Sequence, residues 1–292
     1  MTIKEQDELA IPSTASSSPT PTPLAANEQF PKWWACDLLG TSLAHLARRN
    51  SPSPMDAQNT TSPPNRSDRR DLIIFDCDGV LVDSELLSCN ALISCLCRHA
   101  VHVDLHTAID AFLGRSPRAV QDYCAQNGHV LPGGFFAELS AAVGAAFAGA
   151  LRPIPGAADV LRSLSIPFCV ASSSDIVRIT HSLRLTGLAE MVGSRVFSAA
   201  MVANGKPAPD LFLHAAAAMG AAPARSLVIE DSVSGVQAAK AAGMSVWGFV
   251  GGSHYASRNG RAVLTAAGAD RVFERMADFD HLAAGYIDGA CR

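Results

Sequence analysis

The sequence lacks three things: an apolar run near the ~18 residues of a membrane span, a Cys-x-x-Cys pair, and any excess of basic side chains. The first absence leaves nothing that reads as a spanning helix. The second removes the usual zinc and dithiol patterns. The eight cysteines, at 36, 77, 89, 95, 97, 124, 169 and 291, are scattered. Such a set reads as reduced, mostly buried thiols of a cytoplasmic protein. Cys95-Leu-Cys97 fits ordinary helix packing. Lys plus Arg is 23 against 27 Asp plus Glu, for a net charge of −4. That balance argues against general nucleic-acid or anionic-membrane binding, so an anionic substrate requires a local positive site. Glu5, Asp7 and Glu8 precede any apolar stretch, which argues against a secretory signal.

What is present divides in two. Residues 1–70 are dominated by Pro, Ser, Thr, Ala and Asn, a composition that buries too little apolar surface to offset ordering entropy. A disordered N-terminal tail is expected there. Within it, Trp34, Leu38, Leu39, Leu43 and Leu46 make one face of a short, transient helix, and a chain beginning at Met55 keeps everything downstream. The remaining residues, in a chain that is 48% hydrophobic, can build a substantial core.

That part begins with Leu72-Ile73-Ile74-Phe75, which runs directly into Asp76-Cys77-Asp78-Gly79. A short apolar run bounded by a turn signal fits a buried strand of a parallel sheet. Ligands of such sheets bind beyond the strands' carboxyl ends, so Asp76 and Asp78 are candidates for a site. From residue 86 to 151 there are helical patterns and no convincing strand. Alternation then resumes, with strands expected at Pro167–Ala171, Arg195–Phe197, Leu227–Ile229, Ser245–Val250 and Arg271–Phe273, and helices from Pro155-Gly156 to about Leu164, at Asp175–Leu185, from Asp210 to Met219, at Ser234–Ala242 and at Met276–Ala284. Repeated βα units imply a doubly wound parallel, Rossmann-like sheet. The expected organisation is a core of 71–86 and 152–292, with a helical cap of 87–151 inserted after the first strand.

Four strand ends carry polar residues: Asp76 and Asp78; Ser172-Ser173-Ser174; Lys206; and Glu230-Asp231. Taken singly, each has a bland reading as an Asx turn, a helix cap, a solvated lysine or another cap. Taken together they fit one chemistry. Carboxylates at 76 and 231 are hard oxygen ligands suited to Mg²⁺. Hydroxyl and N–H groups at a helix start suit a phosphate oxygen. Lys206 adds a fixed positive charge, and an Asp nucleophile paired with a second carboxyl serves phosphoryl transfer and acid–base catalysis.

These residues, in this order over about 71–285, resemble the haloacid dehalogenase superfamily. The resemblance implies Asp76 as nucleophile and Asp78 as general acid/base, with its backbone carbonyl on Mg²⁺. It implies Ser172 and the Ser173 N–H on the phosphoryl group, and Lys206 neutralising charge. Asp231 becomes a metal ligand, with Glu230 a ligand through water or an outer acceptor. An Asp at position 78 favours a phosphatase or phosphomutase over a dehalogenase. In the cap, Arg115 or Arg118 is a candidate for a second anionic group of the substrate, and Glu85 for the cap–core cleft. His254, after a strand end, is within reach of that cleft.

The sugar-phosphate phosphatases and β-phosphoglucomutase look nearest, with 6-phosphogluconate-type phosphatases most alike. Ser88 and Asp175 stand where the mutase has His and Lys. The expectation is therefore a Mg²⁺-dependent phosphatase of a small phosphorylated sugar or sugar acid, cytoplasmic and monomeric, with no nucleic-acid or membrane partner. A sugar phosphomutase and a non-catalytic binding protein of the same fold are the alternatives.

Overall fold

The computed structural model describes residues 69–113, 117–284 and 286–287. The tail helix around Trp34, the Met55 start and Arg115 lie outside them. Arg70, assigned above to the tail, belongs to the body: its N–H donates to the Tyr286 carbonyl at 2.7 Å and its guanidinium to Ser245 Oγ at 2.6 Å.

In chain order the elements are β1 (Leu72–Phe75), α1 (Glu85–Arg98), α2 (Leu105–Phe112), α3 (Pro117–Gln126), α4 (Phe135–Ala150), α5 (Ala157–Ser163), β2 (Phe168–Ser172), α6 (Ile176–Leu185), α7 (Ala189–Val192), β3 (Val196–Ser198), α8 (Asp210–Ala218), β4 (Ser226–Glu230), α9 (Val233–Ala241), β5 (Ser245–Phe249), α10 (Gly260–Ala266), β6 (Arg271–Phe273) and α11 (Phe279–Ala283). The strands form one parallel sheet in the order β3-β2-β1-β4-β5-β6. The strand order reverses between β1 and β4, and the crevice at that reversal is where such sheets take ligands.

Both faces of the sheet are covered, which is why β1 is apolar at every position. Side chains alternate between two cores. Ile73, Phe75, Val170, Ile229 and Trp247 face one, and Leu72, Ile74, Cys169, Val228 and Val246 the other. The first core continues through Val80, Leu81 and Ile154 into the four-helix block α1–α4. The two chain crossings into that block run side by side. Ile154 N–H donates to the Leu81 carbonyl at 2.9 Å and Asp83 N–H to the Arg152 carbonyl at 3.0 Å. The helical insert expected from the absence of strand patterns is thus a cap joined to the sheet by a two-stranded neck.

The sequence reading and the structure part at two places. Helix α10 had no counterpart in the expectations, because Asn259-Gly260 reads as turn chemistry; here the Asn259 side chain caps the helix, accepting from Ala262 N–H at 3.2 Å. The final helix expected from Met276 is split into a 3₁₀ turn, Met276–Asp278, and the short α11.

Phe279 of α11 is fully buried against Phe75, Trp247 and Phe273, with ring centroids 5.9–6.1 Å away. It joins the chain's last helix to the floor of β1. Phe279→Ala removes that ring from a closed core and is expected to cost ~3–5 kcal/mol, read as a lower denaturant midpoint with an unchanged slope.

Candidate active site

Three strands end at the crevice, and each delivers polar residues at its last ladder position or just past it. Asp76 follows β1, Ser172 closes β2 and leads to α6, and Glu230 closes β4 with Asp231 next. After Asp76 the backbone turns back on itself, with Leu81 and Val82 N–H donating to the Cys77 carbonyl at 2.9 and 3.0 Å. Gly79 makes this turn possible. Its φ of +78° lies in the left-handed region, and a β-carbon there would run into the Asp231 carboxylate. Ser232 caps α9 by accepting from Gly235 N–H at 3.0 Å, and a β-carbon on Gly235 would collide with Glu230. Two glycines thus let two acidic residues pack against backbone.

Lys206 reaches into this cluster from the chain before α8. Only 2% of it is exposed. Its ammonium donates to Asp76 Oδ1, to Glu230 Oε1 at 2.6 Å and to the Ala171 carbonyl at 3.2 Å. Burial opposes its charge, but the Asp76 and Glu230 carboxylates outweigh burial and hold the amine protonated. Asp76 itself is pushed well above the ordinary carboxylate range, by burial first and then by Glu230, Asp231 and Asp78, against the pull of Lys206. Asp231 moves the same way, through burial and the charge of Glu230.

Asp78 has the opposite surroundings. Its carboxylate accepts from Ser84 Oγ at 2.7 Å, Ser174 Oγ at 2.8 Å, Ser172 Oγ at 3.3 Å and Arg178 Nη2 at 3.3 Å. Burial alone would raise its pKa; the charge of Arg178 and these hydrogen bonds reverse that and bring it below the usual value. Two acids two residues apart are therefore driven in opposite directions.

Asp76, Asp78, Ser172, Ser173, Lys206 and Asp231, expected together from the sequence, line one cavity of about 120 Å³. Glu85 and Ser88 of α1 and Phe112 and Leu113 at the end of α2 close it from the cap side. Burial and the nearby Asp231 and Asp78 push the Glu85 carboxyl up to about 7. Of the two readings given above for Glu230, a ligand through water or an outer acceptor, its bonds match the second. Its Oε1 accepts from Lys206 and its Oε2 from Ser232 N–H and Oγ, both at 2.9 Å, so both oxygens are turned away from the cavity. Arg118 sits on the exposed face of α3, paired with Asp122 at 3.6 Å. His254 is buried, its Nε2 3.2 Å from Asp231 Oδ2. Tyr255 fixes the same residue, its hydroxyl donating to the Asp231 carbonyl at 2.5 Å.

Arg178 was absent from the sequence-derived site. It is the third residue of α6, whose N-cap is Asp175 accepting from Arg178 N–H at 2.9 Å. Helical side chains lean toward the N-terminus, so an arginine one turn into a helix that opens at the site points back into it. That rule, applied to the Ser172–Asp175 cap, was the available signal.

Among the described residues no three His, Cys, Asp or Glu side chains form a ready metal cage. The charge around the cavity still suits a cation. Among the described residues, Asp76, Asp78, Glu230 and Asp231 are paired with two permanent cations, Lys206 and Arg178, which leaves a net negative charge when all four acids ionise.

A family model for haloacid dehalogenase-like hydrolases matches residues 70–243. The chain is 29% identical over 188 residues to the 6-phosphogluconate phosphatase of Escherichia coli K12, covering 64% of this chain and 85% of that one. It is 33% identical over 177 residues to the fructose-1-phosphate phosphatase of the same organism, covering 59% and 92%. The crystal structure of a HAD family hydrolase from Deinococcus radiodurans R1, with bound phosphate and sodium, is similar at a TM-score of 0.64 and 37% identity, over 74% of this chain and 96% of that one. With well over half its length matched by one family model, and a crevice lined by the residues expected from that likeness, the chain belongs to the haloacid dehalogenase-like hydrolases.

Proposed function

We propose that this chain is a Mg²⁺-dependent phosphatase that cleaves small phosphorylated metabolites through an aspartyl phosphate on Asp76. The observation that carries the reading is the division of labour between Asp76, held by a buried Lys206, and Asp78, held apart by neutral and cationic donors. The roles rest on placement, with Asp76 at the strand end beside Lys206 and Asp78 among donors at the start of α6; the directions of their pKa shifts, set by the protein groups alone, run the other way.

In this mechanism an Asp76 oxygen attacks phosphorus and the bond to the substrate's alcohol oxygen breaks. Asp78 gives that oxygen its proton, a step that requires its carboxyl to be protonated in the substrate complex against the lowering effect of Arg178 and the serine donors. Water then attacks the phosphorus of the aspartyl phosphate, Asp78 takes the water's proton, and the bond to Asp76 breaks. Ser172 and the backbone at Ser173 orient the phosphoryl oxygens at the start of α6. Lys206 offsets charge on both partners of the attack. Asp76, Asp231 and the Asp78 carbonyl would hold Mg²⁺, which prefers few protein ligands plus water. When bound, the ion supplies the positive charge that lets these acids stay ionised and draws charge off the phosphoryl group.

A sugar or sugar-acid phosphate, 6-phosphogluconate among them, is the proposed substrate class. Support comes from the phosphatases named above and from the cap residues Glu85 and Ser88 at the cavity. Nothing at the site favours the mutase alternative. Ser88 accepts from Arg178, and Asp175 is occupied as a helix cap.

A panel of sugar phosphates with Mg²⁺ tests the reading. Phosphate release is expected from at least one member, with one labelled oxygen from water in each phosphate, and none from Asp76→Asn. An active Asp76→Asn chain would overturn the nucleophile assignment. Mg²⁺ at about 100-fold over its Kd should stabilise the fold by ~2.7 kcal/mol, a rise in melting temperature that Asp231→Asn removes. Gly79→Ala, which drives a methyl group into Asp231, is expected to lower kcat/KM by about 100-fold.

A further inference from the structure

Among the described residues, Arg178 is the cation at the cavity that the phosphatase reading leaves without a role. Its side chain is 14% exposed, and it touches three separate elements. From α6 in the core, Nη2 donates to Asp78 Oδ1 at 3.3 Å and to Ser88 Oγ of α1 at 3.3 Å. Its guanidinium carbon lies 4.9 Å from the centroid of the Phe147 ring on α4. Phe147 is 2% exposed and belongs to the continuous core of the cap. A guanidinium over an aromatic face keeps a fixed plane, and its forked donors then have a fixed direction.

We infer that Arg178 is a positioning residue: stacked on the cap's Phe147, it sets the orientation of Asp78, so that the acid–base group is aligned only when the cap is seated. The inference rests on the assignment of Asp78 as acid–base. Ser84 and Ser174 also hold Asp78, but neither carries a charge; Ser84 is the N-cap of α1 and Ser174 lies on the core side, ahead of α6. Among the donors named for Asp78, Arg178 is the one that reaches α4, and it bonds Ser88 one turn into α1 as well. A shift of the cap that carries Phe147 and Ser88 away removes both of those contacts, and the guanidinium loses the restraint that aims it at Asp78.

The chemistry supplies a selective readout. Departure of a sugar alkoxide needs a well-placed acid; departure of p-nitrophenolate does not. kcat/KM reports the steps through cleavage of the first ester bond. For Arg178→Met, kcat/KM on 6-phosphogluconate is expected to fall about 100-fold, and on p-nitrophenyl phosphate by no more than about 3-fold. Arg178→Lys keeps the charge without the planar fork and should recover part of the loss. Phe147→Leu keeps apolar volume and removes the ring. It should lower only the sugar-phosphate value, by about 3–10-fold, and add nothing in the Arg178→Met background.

Melting temperatures identify any variant that fails to fold, and Arg178→Lys and Phe147→Leu keep the question answerable if Arg178→Met does. An equal loss on both esters, or a rise in KM with unchanged kcat, would show Arg178 binding substrate or serving the fold generally, and would overturn the inference. So would additive effects of Phe147→Leu and Arg178→Met. If neither 6-phosphogluconate nor the aryl ester is cleaved by the unmodified chain, while other sugar phosphates are, the same comparison runs on the ester that is cleaved. A chain inert to every ester overturns the phosphatase reading itself, and this inference with it.

Discussion

The buried ammonium of Lys206 is the constraint on which the site depends. Asp76 and Glu230 lie on adjacent strands, nearly free of solvent. Two such carboxylates without a counter-charge would cost several kcal/mol each to desolvate. Lys206 donates to both and to the Ala171 carbonyl on the third strand, so one side chain ties together the ends of β1, β2 and β4. Its aliphatic stem reaches the crevice past Phe212 of α8, whose ring centroid is 4.9 Å from the ammonium. The same contacts that make the acids tolerable as a packed group also aim Asp76 into the cavity. Fold and reactivity here share a single set of bonds.

The surrounding backbone is built to keep that cluster tight. At Gly79 and Gly235 there is no room for a β-carbon, because the carboxylates of Asp231 and Glu230 occupy it. Ser232 serves twice, capping α9 and holding Glu230 Oε2. Asp83 ties the neck of the cap to the loop after β5, accepting from Ser253 N–H and Oγ at 3.0 and 2.8 Å. That loop brings His254 and Tyr255 to Asp231. These restraints run from local caps to bonds 170 positions apart. The site is therefore rigid on the core side, and its adjustable wall is the cap.

The parts legible in the sequence are those whose meaning is local. Leu72–Phe75 had to be a strand covered on both faces, and in a parallel sheet its end had to be a ligand edge. The same logic identified Ser172, Lys206 and Asp231 as candidates, and the lack of strand patterns from 86 to 151 announced the cap. What could not be read depended on distant partners. Glu230 looked equivalent to Asp231 because both follow the same strand; only the arrival of Lys206 from 24 residues away shows that its oxygens are already taken. Arg178 looked like any helical arginine, since nothing in Ile176–Leu185 says that the helix begins at a cavity wall. Asn259-Gly260 gave a turn signal that tertiary packing turned into a cap. Arg115 lies outside the described residues, so the cap loop's contribution is still the sequence-based expectation alone.

The positions of Asp76 and Asp78 explain how one short loop serves two chemistries. Had the strand continued, both would lean to the same face and share one field. Instead the chain turns at Gly79, leaving Asp76 among Lys206, Glu230 and Asp231 while Asp78 is carried to the start of α6 and the base of the cap. There the donors are serines and an arginine rather than a lysine shared among acids. The turn separates a residue suited to attack, whose charge must be balanced from the core, from one suited to move protons, whose neighbours come partly from the cap. Because Ser88 and Arg178 sit on that second boundary, the surface that recognises the alcohol part of a substrate is continuous with the group that would protonate it. Under the proposed mechanism, variation in the cap would act on selectivity and on proton transfer together, with Asp76 set apart behind Lys206.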